Sequence, residues 1–543
     1  QRYLALAADT ACSARVSGLA GSSRSLLLAH AHRKRNGATL VIVEDTASAE
    51  EMFEDVSSLL DPGDVALFPP WEVLPYDQVS PPGDLSGRRL GALHDLMKNR
   101  PLFVVATVRA VMQRTMPPAV LAGSILHVAA GATVSLSDLT ARCNRLGYER
   151  TDMVQAPGHF SVRGGIVDVF PHGMEQPCRI EFFGDEVESI RLFDIYTQRS
   201  SRNIRELTVL PNRELIDEPE TRADVVRRVR QAGESFSIDA SELVSHIEDG
   251  GLFEGSERYL PYFHPSSATI MNYLPDHTLI VRCEPAELER EAESFAEEYE
   301  NTHRRRTEAD DLVPAPEEAI LGWHDIAEDS AYYGTMDMVR GARASRGWLA
   351  IGTEASGVYQ GAMDVLKSRL EEWSADNARI VVVCDNEGQA ERLREILGPD
   401  APEIEMAVGP MHAGFVLPDL PLVVLTDAEI FNRYRRRRRK VFKEGVVIED
   451  FTSLKEGDYV VHIDHGIGRY VGLKRISVDD RERDCLTLIY AADDRVFIPI
   501  EQLHRVQKYI GSDGEAPALS KLGGRAWEQA KSRTRKAVRD IAE

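Results

Sequence analysis

The sequence predicts a multidomain chain of mixed α/β and β class. It comprises an α/β domain with an inserted antiparallel β module, a second small α/β domain, a small barrel-like β domain and a terminal helix. Three observations predict this. The chain has 543 residues, too many for one core at roughly 100–200 residues per domain. Helical stretches alternate with short apolar strands at 13–45 and 102–112, the pattern of a parallel sheet covered by helices. From about 125, and again after 448, the apolar period drops to two between Gly, Pro and Asp turns, which marks antiparallel strands.

Composition narrows the function classes. Net charge is −23, so the chain as a whole repels a DNA backbone and protein partners come first. No apolar run reaches the ~18–20 residues of a membrane span. QRYLALAADT lacks the basic start and long apolar stretch of a signal peptide, and a cytoplasmic location is expected. The six cysteines (Cys12, Cys143, Cys178, Cys283, Cys384, Cys485) are scattered without a C-x-x-C pair. Reduced thiols, no disulfide framework and no metal site are expected. Nothing demands an oligomer, so a monomer is expected.

The first domain, 1–120, opens with GLAGSSRS at 18–25. Against the phosphate-loop pattern G-x-x-x-x-G-K-[ST], Gly18 and Ser25 fit, Ser23 replaces the second glycine and Arg24 the lysine. Gly21 adds a further flexible point. A phosphate loop needs glycines so that N–H groups close on phosphate, and a lysine tip to reach its outer oxygens. Ser23 puts a side chain where the backbone must approach, and Arg24 is a wide planar group rather than a point charge. No D-E-x-x metal partner follows a strand in this half. The loop is expected to be a relic without ATPase activity, retaining at most weak anion binding at the helix start.

SRSLLLAHAHRKR follows as a helix and TLVIVED as a buried strand. In FPPWEVLPYDQVSPPGDLSGRRLGAL (68–93), prolines at 69, 70, 75, 81 and 82 forbid regular structure through most of the segment. Trp71 and Tyr76 there serve either function or packing on their own domain. FSVRGGIVDVF and CRIEFFGDEVESIRLFDI form the β module, 121–212. Residues 213–340 return to helical patterning, with ELEREAESFAEEYE as a solvated helix face; the resemblance given below implies that they complete the first domain. WLAIGT, RIVVVCDN and PLVVLTDAEIF are strands of a small α/β domain at 345–431. NRYRRRRRK opens a basic linker, 432–447. GDYVVHIDHGIGRYVGL and LTLIYAADDRVFIPIEQL make the small β domain, 448–512, with Gly466 and Gly468 read as turn residues. His462 and His465 lack a third ligand. SKLGGRAWEQAKSRTRKAVRDIAE, within 513–543, is a basic helix without a cap, and the sequence is expected to be a piece of a longer protein.

Three of these stretches carry a resemblance, and their order makes it specific. RGGIVDVFP with RIEFFGDEVESIRLFD resembles a β module shared by UvrB, the damage-verifying excision-repair subunit, and the transcription-repair coupling factors. PPWEVLPYDQVSPPGDLSGRRL is similar to the latter; the tyrosine-rich hairpin of UvrB is absent. GDYVVHIDHGIGRYVGL resembles the RNA-polymerase-interacting domain of the coupling factors and of CarD regulators. The chain as a whole thus resembles the non-motor half of a coupling factor: a UvrB-like α/β domain, a small α/β domain, a Tudor/CarD-like β-barrel and a helix leading to an absent translocase motor.

The resemblance implies two partners. UvrA, the damage-scanning subunit, would contact Arg163, Arg179 and Phe183. The RNA polymerase β subunit would contact Ile467, Arg469, Tyr470, Val471 and Leu473, about half of which alternation assigns to the core. DNA would be engaged through the absent motor, which alone would need ATP and Mg; no cofactor is implied for this chain. In the family the UvrA face is thought to be masked by a carboxy-terminal domain, so this chain is expected to bind UvrA constitutively. Two other readings are a UvrB-type ATP-dependent repair subunit and a CarD-like transcription regulator.

Overall fold

The structure is a computed structural model describing residues 13–35, 37–195, 197–250, 252–341, 347–359, 361–398, 401–431, 459–462, 466–478, 481–491, 495–499 and 506–508. The basic linker and the terminal helix of the sequence analysis lie outside these residues. The chain divides into two units, Gln1–Arg437 and Arg438–Glu543.

The first unit is built on a seven-stranded sheet. Its order across the sheet is Leu349–Ala350, Ala14–Ser17, Gly334–Val339, Leu279–Cys283, Thr39–Val43, Phe103–Thr107 and Val65–Phe68. Every pairing is parallel. Thr39–Val43 and Phe103–Thr107 are buried at every position, as strands covered by helices on both faces must be. One apolar cluster fills each face of the sheet. Strands from 279 and 334 slot between those from 14 and 39, so the chain returns to its first sheet after the inserted β module.

The module is a six-stranded sheet in the order Ser200–Ile204, Glu186–Phe193, Cys178–Phe183, Ile166–Val169, His159–Arg163 and Glu149–Arg150. All its pairs are antiparallel except the last, which is parallel. A two-stranded ribbon, Leu126–Ala129 with Glu206–Val209, forms its stem.

Two expectations for the first unit need correction. WLAIGT was assigned to the small α/β domain, but Leu349–Ala350 pairs with Ala14–Ser17 and belongs to the first sheet. The small domain's sheet runs Glu354–Ala355, Phe415–Leu417, Leu422–Thr426, Arg379–Cys384 and Glu405–Val408. The expected irregularity over 68–93 stops at Pro82, because Gly83–Met97 is a helix. Prolines are tolerated ahead of a helix, where no intrahelical N–H is needed.

PPGDLSGRRL and FPHG pack on each other. A Cβ on Gly83 or Gly87 would come within 2.8 or 2.2 Å of the His172 side chain. The two glycines therefore make the seat in which a ring from the β module rests on the α/β domain. Arg89 is fully buried and pairs with buried Glu214, whose carboxylate also accepts from Trp71 Nε1. The Arg89 guanidinium donates to Pro69 O at 2.9 Å and lies 4.2 Å from the Phe68 ring centroid. Trp71 and Tyr76 are buried, so the proline-rich segment packs on its own domain.

In the second unit five strands form a sheet ordered Arg495–Pro499, Arg481–Ile489, Gly466–Val478, Tyr459–His462 and Val506–Lys508. All its neighbours are antiparallel. Among the described residues no pairing joins the two outer strands. Gly466 and Gly468 are strand residues, not turn residues. A Cβ on Gly468 would meet the Tyr490 ring at 3.0 Å, so that glycine makes room for a buried aromatic.

Candidate functional site: a relic loop and a two-hairpin tip

The loop 18–25, expected to be a relic phosphate loop, leaves Ala14–Ser17 and enters the helix Ser23–Arg35. Gly18 and Gly21 have φ of +76° and +53°, which glycine adopts without strain. The surroundings of the loop are its own chain. Leu19 N donates to Arg340 O at 3.0 Å and Ser22 N to Ala413 O at 3.0 Å. Ala20 N donates to the Thr353 hydroxyl, which donates in turn to Gly18 O at 2.9 Å. Ala413 N returns a bond to Ser22 Oγ at 3.1 Å.

Ser25, at the hydroxyl position of the motif, donates to Asp55 Oδ2 at 3.0 Å, and His412 N donates to Asp55 Oδ1 at 2.8 Å. Arg24 is 8% exposed, and its Nη1 has no hydrogen-bond partner among the described residues. Its charge lies close enough to Cys283 to oppose the upward push that burial gives that thiol, whose pKa rises to about 11. Ser23 is fully buried. Asp55, Thr353 and His412 were missed from the sequence. One signal was legible: Asp55 sits among the buried positions Ala49, Met52 and Val56 of the helix Thr46–Ser57, where a carboxylate needs a partner.

The second candidate site is the tip of the β module. Arg163 and Ile166 are opposed across a two-residue turn, as are Phe183 and Glu186. Gly164 (φ +58°) and Gly184 (φ +64°) take the first loop position of each turn, where left-handed backbone is required. Phe182 N donates to Gly165 O at 2.8 Å, locking the two hairpin ends together. Register pairs Asp168 with Arg179 and Ile166 with Glu181. Since side chains alternate, Arg163, Asp168, Arg179, Glu181 and Phe183 share one face, while buried Ile180 takes the other.

The three residues predicted for UvrA contact thus come together, but unequally. Phe183 is 80% exposed, while the Arg163 and Arg179 side chains are 54% and 17% exposed. Arg179 grips buried Asp168 through two bonds of 2.8 Å and lies 4.5 Å from the Phe193 ring centroid. The bonds to Asp168 raise its already high pKa. Arg163 Nη2 reaches the same carboxylate at 3.7 Å. Asp168, missed from the sequence, orients both arginines. Arg191 pairs with Glu181, an ordinary cross-strand charge pair.

In the second unit Arg469 is exposed and Val471 half-buried. Tyr470 is only 5% exposed, so its side chain belongs to the sheet's core and is removed from the surface set. The side chains of Ile467 and Leu473 lie outside the described residues. Tyr459–His462 covers only 466–469 of the long strand. From Tyr470 onward pairing is described on one side, with Arg481–Ile489.

The geometry can now be set beside known proteins. The model of the UvrB interaction domain matches residues 126–215, the two-hairpin module with its stem. The model of the CarD-like/TRCF RID domain matches residues 454–510, the second sheet. Along most of its length the chain is similar to proteins named transcription-repair-coupling factor. That of Bacillus subtilis (strain 168) is 30% identical over 573 residues, covering 97% of this chain and 48% of the relative. That of Myxococcus xanthus is 32% identical over 577 residues, with the same coverage. That of Haemophilus influenzae is 27% identical over 544 residues, covering 95% and 47%. The chain spans about half the length of the curated relatives it matches.

Proposed function

We propose that this chain is the non-motor part of a transcription-coupled nucleotide excision repair factor, an adaptor that holds RNA polymerase and UvrA. One observation carries the reading. A UvrB interaction domain, at 126–215, and a CarD-like/TRCF RID domain, at 454–510, occur in one chain. In the complete protein an ATP-driven translocase would displace a stalled polymerase, and the adaptor would bring UvrA to the lesion.

UvrA would meet the face of the β module that carries Phe183 and Arg163. An exposed aromatic supplies an anchor, and an arginine fork binds carboxylates bidentately. Arg179 works from beneath: its guanidinium is engaged by Asp168, and it stiffens the strand that ends at Phe183. The polymerase β subunit would meet the second sheet. Strand addition beside the long strand Gly466–Val478 would suit such a partner, with exposed Arg469 and half-buried Val471 among the contacts.

The reading as a UvrB-type ATP-dependent subunit is weakened by the relic loop, whose N–H groups bond to Ala413, Thr353 and Arg340. The test is capture of purified UvrA and of the polymerase β subunit by this chain. Retention of both supports the adaptor. Retention of polymerase alone favours a CarD-like regulator.

A further inference from the structure

We propose that the relic phosphate loop has become the docking site for the chain's own small α/β domain, with residues 412–414 seated where a bound phosphate would lie. The argument starts from the glycines. If Gly18 and Gly21 were vestiges of nucleotide binding, the space above them would be open. A Cβ on Gly21 would instead meet Gly414 O at 2.3 Å and Ala413 O at 3.1 Å, and one on Gly18 would meet Gly352 N at 3.2 Å. Both glycines accommodate backbone from elsewhere in the same chain.

The polar groups agree. An anion at a phosphate loop accepts from successive backbone N–H groups. Here the Ala413 carbonyl accepts from Ser22 N and Ala413 N gives a bond back to Ser22 Oγ. Such reciprocal pairing suits a peptide group, which carries both donor and acceptor, and phosphate at neutral pH offers almost only acceptors. The motif's last hydroxyl, Ser25, is turned to Asp55, and the same carboxylate accepts from His412 N. His412 Nδ1 also stands 3.2 Å from Asp55, and Nε2 stands 3.5 Å from Glu54. The helix Thr46–Ser57 therefore clamps both parties. Gly414 is itself confined, since a Cβ there would come within 2.4 Å of Val424 O and 2.5 Å of the Ser356 hydroxyl. The docked segment is thus fixed to its own sheet as well as to the loop.

This gives the small α/β domain a function independent of the adaptor reading: it occupies the relic loop and keeps anionic nucleotides out. Hydrogen exchange of the whole chain tests it. The amides of Ser22 and Ala413 are expected to be protected together. Ser22→Ala removes one acceptor without touching the backbone, and should speed exchange at Ala413 about five- to tenfold, the worth of one hydrogen bond. Gly21→Ala should speed exchange at both positions further, leaving amides of Cys178–Phe193 unchanged. Millimolar MgATP or inorganic phosphate should alter neither amide in the parent chain. Exchange at Ala413 that ignores both substitutions would overturn the proposal. So would MgATP or phosphate that slows Ser22 while freeing Ala413.

Discussion

Asp55 shows how much of the first unit's organisation rests on single buried groups. Only 4% exposed, it takes bonds from Ser25 of the relic loop and from the His412 backbone. Asp55→Ala would leave both donors buried without an acceptor, a cost of about 1–3 kcal/mol for each. Chemical denaturation should show the loss in the transition of the first unit. His32 is a second such group. Burial lowers its pKa from 6.5 to about 4, against a small opposing effect of Asp64; its Nδ1 stands 3.0 Å from the Thr39 hydroxyl. The unfolded chain gains this proton below pH 6.5 and the folded chain only near pH 4, so stability is full above 6.5 and falls as pH drops between them. The loss is on the order of 2–3 kcal/mol. A denaturation series from pH 7.5 to 4.5 should show this decline, and His32→Gln should make it shallower, the rest coming from His172 and His264, whose pKa burial also lowers to about 4.

Elements were legible in the sequence where a period ran uninterrupted. The buried strands at 39–43 and 103–107 and the hairpins of the β module could be read from apolar spacing and turn residues. Contacts between elements could not. Leu349–Ala350 looked like the first strand of the small domain because its neighbours in sequence are there; its partner, Ala14–Ser17, lies more than 330 positions away. Gly468 looked like a turn residue because the ring it admits, Tyr490, is remote in the chain. The same holds for Gly87, which local grammar offers only as a helix-weakening residue and which the His172 ring explains. Gly87→Ala should therefore cost more than helix propensity predicts. Alanine is normally better in a helix by up to about 1 kcal/mol, and here overpacking should reverse the sign to about 1–3 kcal/mol of destabilisation. A thermal melt with tryptophan fluorescence would register it, since Trp71 lies on the segment that leads into this helix.

The whole molecule divides its tasks. The candidate UvrA surface and the relic loop lie in the first unit, and the candidate polymerase surface lies in the second. The pair of candidate surfaces came from the family resemblance, carried by short local motifs, and not from apolar spacing. The sequence hid the closure of the relic loop, which depends on residues almost 400 positions from it. It also hid the inequality between Arg163 and Arg179, because only the buried position of Asp168 decides which arginine is held more closely. A consequence follows for mutagenesis. Phe183→Ala should abolish UvrA binding with no change in melting temperature, since the ring buries almost nothing. Arg179→Ala should weaken binding and stability together, since it strands Asp168 in the interior.

The most direct measurement is sedimentation of this chain mixed with UvrA and the RNA polymerase β subunit, beside the Phe183→Ala variant. The adaptor account predicts one species containing all three proteins, and a species lacking only UvrA for the variant. Failure of the chain to bind UvrA, or UvrA binding that survives Phe183→Ala undiminished, would contradict it.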